Sequence, residues 1–571
     1  MTKSTATPAS AVHSRSDWEA LARQALKSDD LDQLTRLTED GLAIPPLFLA
    51  ADAPQPLSDA FSSAASRGWE IVQYIEPQTD AAALNRAILD ELEGGASGVI
   101  VTADQDPSLL TKAMDGVYLN AIRLAADAPI DPRSLANVIV DLWQKAGVTA
   151  AEAKASLGID AFADQANGAK EALDLAQVLA ALMPLRADWP GLRLVTIGGG
   201  KWHRLGLTPA EQIAVSLAEL IAVMRKAEAA GLNLDDVYAS LEFQLAFDAE
   251  LYPGIAKARA YRLLMARVLA SMGIEAEDLA WDLAGRCQAV TADRMLNRID
   301  MDTNILRNGT AMLAAALSGF GMITVLPHDW LTGSSDQGRR VARNMHHLMA
   351  DESQLAQVAD PAQGSYYIDH LTDALAKKAW SLFQEIEAKG GLGAALAEGM
   401  ITTWADKANH ARQNRINSGA RASLGVTLHP MRGALPQSVI NGARGLRGGE
   451  AREAAVWEAL RLDWNGQTPR CLMLDIGQAQ GASAAGMSRW FAATGLDATV
   501  MTADDIPSAV SILNSAKPDV LILGGALSGV MLGDDAIKAV APRFVMSMDA
   551  INGDGSPDFA QLMLQIKEAL S

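Results

Sequence analysis

The amino-acid sequence predicts an α/β protein with two folded parts, on the strength of three features. Eight short apolar runs alternate with helical patterns over residues 46–430, which is typical of a parallel (β/α)8 TIM barrel. Residues 468–571 repeat the alternation with continuous apolar runs, which is typical of a doubly wound parallel sheet covered on both faces. A hydrophobic share of 49% in 571 residues supplies enough apolar side chains for large cores.

The predicted barrel strands are eight runs separated by helical patterns. In order, they are WEIVQYIE (69–76), GASGVIVTA (95–103), GVYLNAI (116–122), LGIDAF (157–162), LRLVTIGG (192–199), ASLEFQLAF (239–247), CQAVTA (287–292) and MITVLPHD (322–329). Their alternation with longer amphipathic segments predicts one strand for each run. The four runs of the C-terminal part are RCLMLDIG (470–477), DATVMTA (497–503), DVLILGGA (519–526) and RFVMSMDA (543–550).

The clearest helix of the barrel is predicted over residues 208–230. Thr208 can cap its first turn, Pro209 suits the first helical position, and Glu211 completes a capping box. Gly231 then follows at the position where a helix commonly ends in a left-handed conformation.

Three segments lie outside the two predicted folds. Residues 1–45 form an N-terminal arm with a short helix, for which Ser16 is the expected cap, and its apolar stripe must pack on the main body or on another chain. Residues from about 337 to 412 are predicted to form long helices. These helices follow the last barrel strand and belong with the barrel to one unit of residues 46–430. Residues 431–467, rich in Gly and Arg, predict a linker that runs over the surface before the domain at 468–571.

Composition excludes several classes of function. A net charge of −20 opposes non-specific nucleic-acid binding, and the basic stretch at 441–452 is better explained as a solvated linker. No apolar run is long enough for a membrane helix, and the N-terminus does not resemble a secretory signal. Cys287 and Cys471 cannot build a disulfide framework, so a cytoplasmic protein with inert core thiols is expected.

Five long segments resemble adenosylcobalamin-dependent acyl-CoA mutases, and they occur in the order that this family has. They are IAKARAYRLLMARVL (255–269), RNGTAMLAAALSGFGMITVLP (307–327), RRVARNMHHLMADES (339–353), DPAQGSYYIDHLTDALAKKAW (360–380) and RQNRINSGARASLGV (412–426). The resemblance implies a TIM barrel followed by a flavodoxin-like, cobalamin-binding-type domain. Within the family the chain is most similar to methylmalonyl-CoA mutases, some of which are heterodimers of a catalytic large and a related small subunit.

The loop after the fifth barrel strand departs from the catalytic members of this family. There the resemblance implies a Ser-Gly-Tyr-His segment, whose His contacts the substrate thioester. This chain reads IGGGKWH, with Gly200 at the position of the Tyr and Lys201 at the position of the His. Both positions are therefore interpreted as vestigial. His203 lies two residues later, and a polar loop residue is the preferred interpretation over a displaced catalytic His.

The first loop of the C-terminal domain departs from the family in the same way. Catalytic members carry Asp-x-His-x-x-Gly there, in which the His binds cobalt and the Asp orients it. The matching positions are Ala479, Gly481 and Ala484, whose side chains can neither bind a metal nor orient a ligand. The resemblance thus implies vestigial cofactor positions, no metal site and no cofactor on this chain.

Two further features resemble small subunits of the mutase. The eighth strand reads ITVLP (323–327), where catalytic chains have Ser-Leu-His-Thr-Asn, and the C-terminal part contains RFVMSMDAI (543–551). The resemblance implies a structural partner of a catalytic large subunit, which would hold adenosylcobalamin and convert methylmalonyl-CoA to succinyl-CoA. Two alternatives stay open: an acyl-CoA-binding or chaperone-recruiting module, and a self-sufficient mutase with an atypical site.

The remaining candidates favour structural roles. His346 and His347 are adjacent and face different sides of a helix, so they cannot easily chelate one metal. The pair His328-Asp329 is interpreted as a satisfied loop pair rather than an acid/base dyad. The channel that carries acyl-CoA in catalytic chains is expected to be filled by inward-facing apolar side chains. The residues predicted to fill it are Phe243, Leu245, Phe247, Met322 and Leu326.

Overall fold

The structure, a computed structural model, contains an N-terminal arm, an eight-stranded barrel and a C-terminal lobe. It describes residues 14–52, 68–78, 80–102, 107–127, 131–167, 173–274, 279–358, 360–431, 435–436, 452–462, 469–477, 487–524, 537, 540–548 and 558–570, and within these only the backbone of residues 107–108 and 280–281. None of the helices in these ranges is long and apolar enough to cross a membrane.

The barrel is closed and entirely parallel, as predicted. Its strands are β3 (Glu70–Ile75), β4 (Gly98–Thr102), β5 (Arg123–Asp127), β6 (Ala155–Ile159), β7 (Leu192–Ile197), β8 (Leu241–Phe247), β9 (Cys287–Thr291) and β10 (Met322–Thr324). Each strand pairs with the next in the chain, and β10 pairs with β3 to close the ring. The outward-facing side chains join the surrounding helices in one large apolar core.

The helices around the barrel follow the strands in sequence. They are α2 (Ala81–Glu93), α3 (Pro107–Ala113), α4 (Pro132–Ala146), α5 (Ala161–Ala166), α6 (Leu175–Asp188), α7 (Gly200–Leu205), α8 (Pro209–Ala229), α9 (Leu234–Ala239), α10 (Leu251–Ser271), α11 (Leu279–Arg286) and α12 (Asp302–Leu317). After the barrel come α13 (Asp336–His347), α14 (Tyr366–Ala388), α15 (Leu392–Ala397) and α16 (Met400–Asn417). Helix α14 lies against α8 and α10, so these trailing helices form an outer layer on one side of the barrel.

The start of α8 confirms the predicted capping box. The Thr208 side chain accepts a hydrogen bond from the Glu211 backbone, and the Glu211 carboxylate accepts one from the Thr208 backbone. Pro209 occupies the first helical position, and Gly231 follows the helix with φ +73°. Local sequence alone therefore determined both ends of this helix.

Three predicted strands have different bounds. The run 116–122 is wrong as a strand: Tyr118 is exposed, its carbonyl accepts from Ala121 N, and the strand begins at Arg123. Strand β6 ends before Asp160, because that side chain caps the next helix through Ala163 N. Strand β10 ends at Thr324, three residues before Pro327, which has no backbone N–H to extend a ladder.

The N-terminal arm is anchored at its hairpin and partly covered at its helix. Helix α1 (Arg15–Leu26) is capped by Ser14 rather than by the predicted Ser16, and none of its residues is fully buried. Arg15 pairs with Asp52, and the large apolar side chains of α1 are partly covered except for the exposed Leu21. The hairpin of β1 (Arg36–Leu37) and β2 (Ala43–Ile44) follows, and its turn carries Glu39 into an ion cluster on the barrel.

An ion cluster around Arg421 joins all three parts of the chain. The Arg421 guanidinium lies 2.9 Å from Glu39 of the arm, 3.1 Å from Glu453 and 4.0 Å from Glu250 of the barrel. Arg412 of α16 adds a second cation, 2.9 Å from Glu39. Burial would raise the pKa of Glu39, but Arg412 and other nearby arginines lower it to about 2.

The C-terminal lobe is built on a four-stranded parallel sheet. Its strands are β11 (Cys471–Ile476), β12 (Ala498–Ala503), β13 (Val520–Gly524) and β14 (Phe544–Ser547), in the order β12-β11-β13-β14. Its helices are α17 (Ala455–Leu462), α18 (Ser488–Ala493), α19 (Ile506–Ala516) and α20 (Phe559–Leu570). Apolar cores lie on both faces, as predicted, and β11 and β13 are fully buried. The expectation of buried strands is wrong for β12 and β14, which lie at the two edges.

Part of the segment predicted to be a surface linker is instead buried. Trp457 of α17 is fully covered and stacks on Trp490, which stacks on Phe559. Glu458 is also buried and pairs with Arg452 at 2.6 Å and with Arg298 of the barrel at 2.7 Å. Helix α17 supplies core residues to the lobe that follows. The prediction missed this because the surrounding stretch is rich in Gly and Arg, a composition typical of a surface linker.

Replacing Trp457 with Ala is expected to destabilise the C-terminal lobe strongly. The change removes a fully buried indole from between stacked rings and should cost about 3–5 kcal/mol of the free energy of unfolding. Urea titration followed by circular dichroism measures the loss. The control is Trp380→Ala on α14, where the indole is 38% exposed, and a smaller loss is expected there. Equal losses would show that Trp457 is not a core residue.

Replacing Glu250 with Gln is expected to flatten the pH dependence of stability. Burial, with Asp248 nearby, raises the pKa of Glu250 to about 7 from an ordinary value of 4.5, although Arg421 opposes the rise. The folded chain therefore binds a proton that the unfolded chain has released, so stability falls as pH rises from about 4.5 to 7. Melting temperatures across this pH range measure the effect. An unchanged slope in the variant would rule out Glu250 as its source.

Candidate functional site at the barrel axis

The loop after β7 holds the residues that the sequence singled out, and glycine is required at its start. Gly198 has φ +82°, and its N–H donates to Glu219 Oε2 at 2.9 Å. A Cβ atom at Gly198 would collide with Ser216 Oγ. Gly200 N–H then donates to Gln244 Oε1 inside the barrel at 2.7 Å. The loop is therefore fixed by side chains below it and turns Lys201 towards the barrel mouth.

Lys201 is mostly covered at the mouth, among three carboxylates. Its ammonium lies 2.6 Å from Asp164 Oδ1 and 4.0 Å from Asp127 Oδ1. Burial would lower the pKa of Lys201, but Asp160, Asp127 and Asp164 together raise it above its ordinary value. The ion pairs therefore favour the charged form of Lys201 and oppose proton transfer by this side chain near neutral pH.

Glu219 lies directly beneath the loop and is fully buried. It accepts hydrogen bonds from Gly198 N–H and from Trp202 Nε1–H, each at 2.9 Å. Burial, with the neighbouring Asp160 carboxyl, raises the pKa of Glu219 well above its ordinary value. The site therefore favours the protonated form of Glu219.

Two further side chains close the mouth, Tyr74 of β3 and Arg204 of α7. The Tyr74 hydroxyl donates to Asp127 Oδ2 at 3.2 Å, and Arg204 pairs with Asp293 at 2.8 Å. Burial would lower the pKa of Arg204, but the charge of Asp293 raises it. A free volume of about 60 Å³ remains inside this polar mouth, enough for a few water molecules. Small-molecule sites commonly occupy about 300 Å³ or more.

The interior below the mouth is polar on one side and apolar on the other. Gln244 Nε2–H donates to Gln288 Oε1 at 3.0 Å, and Gln288 Nε2–H donates to Thr324 Oγ1 at 2.9 Å. A small apolar cluster lies across the interior. Its members are Val72, Ile100, Ala125 and Met322, with Tyr74 beside them. Side chains, rather than an open bore, occupy this part of the axis.

The predicted filling residues are only partly right. Met322 faces inward, and Leu326 lines the mouth. Phe243, Leu245 and Phe247 face outward into the core between barrel and helices, so their prediction is wrong. Strand β8 reads LEFQLAF, in which polar and apolar residues alternate, and the polar ones point inward. This alternation could have predicted the correct orientation. In a barrel surrounded by helices, the apolar side chains of a strand point outward, towards the helices.

The opposite, N-terminal end of the barrel holds a second ion cluster. Arg123 lies 2.7 Å from Glu70 and 3.7 Å from the buried Glu242, and Lys154 lies 2.8 Å from Glu70. Outside this cluster is a cavity of about 400 Å³. The cavity is lined in part by Trp69, Ser97, Arg193, Asp282 and Arg286.

His203 lies away from the mouth and is not the polar loop residue that was expected. Its ring is fully buried in α7, with Nε2 3.8 Å from Asp248 Oδ2. Burial, with the charge of Arg294, lowers the pKa of His203 to about 3, so the ring is neutral. It does not line the mouth cavity, and the alternative of a displaced catalytic His gains no support from this position.

The expectation of a satisfied His328-Asp329 pair is only partly right, because His328 Nδ1 and Asp329 Oδ1 are buried without a hydrogen-bond partner among the described residues. Asp329 accepts hydrogen bonds from the backbone and hydroxyl of Ser335, and His346 Nδ1 accepts one from Trp69 Nε1–H at 3.0 Å. Burial raises the pKa of the thiols of Cys287 and Cys471 to about 12, so neither is a reactive thiolate.

The residues present do not fit a protein-bound cobalt ligand in the C-terminal lobe. Ala479, Gly481 and Ala484 lie outside the described residues, but their side chains carry no donor. His429 is the last histidine of the sequence, so residues 468–571 contain no imidazole at all. In the described part of the chain, no group of three or more His, Cys, Asp or Glu side chains could hold a metal ion.

Comparison with known proteins identifies the family. The sequence model described as methylmalonyl-CoA mutase matches residues 95–440, which include the whole barrel after β3. A protein named methylmalonyl-CoA mutase small subunit from Streptomyces virginiae is 32% identical, over 78% of this chain and 75% of that protein. The chain belongs to the methylmalonyl-CoA mutase family.

Other members are similar over most of the chain. The methylmalonyl-CoA mutase small subunit of Propionibacterium freudenreichii subsp. shermanii is 28% identical, over 72% of this chain and 66% of that protein. A methylmalonyl-CoA mutase of Cereibacter sphaeroides is 27% identical, over 72% of this chain and 63% of that protein. The resemblance drawn from the sequence, to a mutase small subunit, is therefore confirmed.

Replacing Lys201 with Met is expected to destabilise the barrel, because it leaves the buried Asp160 and the partly buried Asp127 and Asp164 without their cation. Loss of the cation from this partly buried pair should cost about 1–3 kcal/mol at pH 7. The stability that the lysine contributes is present at every pH below its ordinary pKa, so this contribution is unchanged from pH 5 to 8. In the variant Asp164 loses the cation that lowers its pKa, so the loss should shrink as pH falls to 5. Urea unfolding at both pH values measures this.

The matched control is the double variant Lys201→Met with Asp164→Asn. It removes the Lys201 cation together with the carboxylate that would otherwise be left unpaired. It should recover part of the lost stability at pH 7. A single variant as stable as wild type at both pH values would contradict the ion-paired mouth.

Proposed function

We propose that this chain is the structural, non-catalytic subunit of a heterodimeric methylmalonyl-CoA mutase. The complex would convert methylmalonyl-CoA to succinyl-CoA by a radical rearrangement, and both compounds would bind to the catalytic large subunit. The observation that carries the proposal is the barrel mouth, where Lys201 is paired with Asp164 and about 60 Å³ is left free. Among the described residues, no histidine lines this mouth, and the free volume is small for an acyl-CoA arm.

The cofactor assignment follows from the donor set of the C-terminal lobe. Adenosylcobalamin supplies the radical chemistry of this family, and we propose that the partner binds it. In this chain no imidazole follows His429, and Ala479, Gly481 and Ala484 stand where the family's ligand motif would be. The order β12-β11-β13-β14 corresponds to strand order 2-1-3-4, which supports a flavodoxin-like domain that has lost its ligand.

The N-terminal arm is the part that we assign to partner contact. The hairpin is anchored to this chain's own barrel through Glu39, whereas α1 has no buried residue. An anchored hairpin next to an amphipathic helix that is only partly covered is suited to hold a second subunit. The domain division that goes with this assignment is the arm at 1–45, the barrel at 46–430, a connecting segment at 431–467 and the lobe at 468–571. The complex is proposed to be cytoplasmic, with no role in nucleic-acid or membrane binding.

Separate and joint assays of the two subunits test the proposal. Each chain is purified alone, and the two are also co-expressed, with a large subunit encoded in the same genome as the partner. We expect a one-to-one complex that isomerises methylmalonyl-CoA, while this chain alone shows neither activity nor corrinoid absorbance after incubation with adenosylcobalamin. Stoichiometric coenzyme uptake and turnover by the lone chain would instead establish a self-sufficient mutase.

One observation favours acyl-CoA binding as a second candidate function. The cavity of about 400 Å³ at the N-terminal end of the barrel contains Arg193, which has no carboxylate within ion-pair distance among the described residues. Burial, with the charges of Arg286 and Arg123, lowers the pKa of Arg193 to about 10. Thermal stabilisation of the lone chain by propionyl-CoA, lost in Arg193→Met, would support this function. Equal melting curves with and without propionyl-CoA would exclude it.

A further inference from the structure

Strand β12 is an edge of the C-terminal sheet that no other described strand covers. Within the described residues it pairs only with β11, over the full register from Cys471–Ala498 to Ile476–Ala503. Its other side therefore presents the backbone N–H and C=O groups of a six-residue strand. Such groups are a template for another extended chain, because they bind any strand that lies alongside them.

The side chains of β12 lack the features that normally protect a sheet edge. The strand reads ATVMTA, without charge or proline, and residues 499–502 are exposed although they alternate between the two faces. Val500 is 44% exposed and Met501 is 38% exposed. Edge strands that stay free usually carry lysine, proline or a bulge. The composition of β12 is that of a strand which becomes covered.

Carboxylates flank this uncharged edge at both ends. Asp497 precedes the strand, and Asp504 and Asp505 follow it, all of them exposed. A second copy of the chain paired antiparallel would place Asp497 opposite Asp504, and like charges across strands are destabilising. The net charge of −20 adds to this repulsion. The charges therefore disfavour self-pairing and favour a strand with basic residues at its ends.

We propose that β12 is an interface on which an extended segment of the catalytic subunit adds a fifth strand. That segment has an uncharged centre of about six residues, matching the length of β12, with Lys or Arg at both ends to meet the flanking aspartates. This inference rests on the proposed function, because the partner is the large subunit. It adds a contact at the C-terminal lobe, on a different part of the chain from the arm.

Hydrogen–deuterium exchange on the full-length chains tests the interface. The amides of residues 498–503 are compared between the free chain and its purified complex with the large subunit. We expect slowed exchange in the complex, because pairing protects the outward-facing N–H groups. Amides of β12 that exchange equally fast in both states, in a complex that has formed, would overturn this interface and leave the proposed function intact.

Charge substitutions supply the second measurement. The double variant Val500→Lys with Met501→Lys should weaken the subunit Kd by about tenfold or more, since it places two ammonium groups against the partner's uncharged centre. The control is Val545→Lys on β14, the other outer strand of the described sheet, where the side chain is 37% exposed. Its Kd should match wild type.

Circular dichroism spectra of both variants, compared with wild type, are the control for folding. Equal Kd values for wild type and the double variant would overturn the interface. Concentration-dependent dimers of the free chain that disappear in the double variant would also overturn it, in favour of a second copy. Failure of the wild-type chains to associate at all would overturn the proposed function together with the interface.

Discussion

Pairing of buried charge along the barrel axis is the constraint on which the rest of this structure depends. A charge removed from water is tolerated only when ion pairs and hydrogen bonds replace the lost hydration. At the mouth, Lys201 is compensated by Asp164, Asp127 and Asp160, and at the other end Arg123 is compensated by Glu70 and Glu242. In the described residues, the two ends of the barrel interior are thus held by ion pairs, and the C-terminal end is the one where active sites of this fold lie.

The same principle joins the parts of the chain. Arg421 contacts carboxylates from the arm, the barrel and the segment that leads into the C-terminal lobe, and Glu458 contacts arginines on both sides of that connection. A partner that binds the arm and the lobe would thus meet surfaces held in a fixed relation by buried ion pairs. This would suit a subunit with a structural role. Hydrogen-bonded ion pairs have a defined geometry, which apolar packing alone does not impose.

Much of the fold could be predicted because local patterns and global packing agree. The closed barrel, the ends of α8 and the four strands of the lobe all follow from periodicity, caps and glycines near the expected positions. The failures share one cause, namely that the deciding partner is distant in sequence. Phe243 faces outward because helices cover that side, and Trp457 is buried because Trp490 lies against it. Neither fact is visible in a local window.

The sequence by itself determined which chemistry is missing. The absence of imidazole after His429, and the presence of Gly200 and Lys201 after β7, are covalent facts that no folding can change. Only the tertiary structure decided what replaced that chemistry. Whether the Lys201 ammonium is free or neutralised depends on Asp127 and Asp164, which come from other strand ends of the barrel. Electrostatic energy depends on distance in space, and folding alone brings these charges within ion-pair distance.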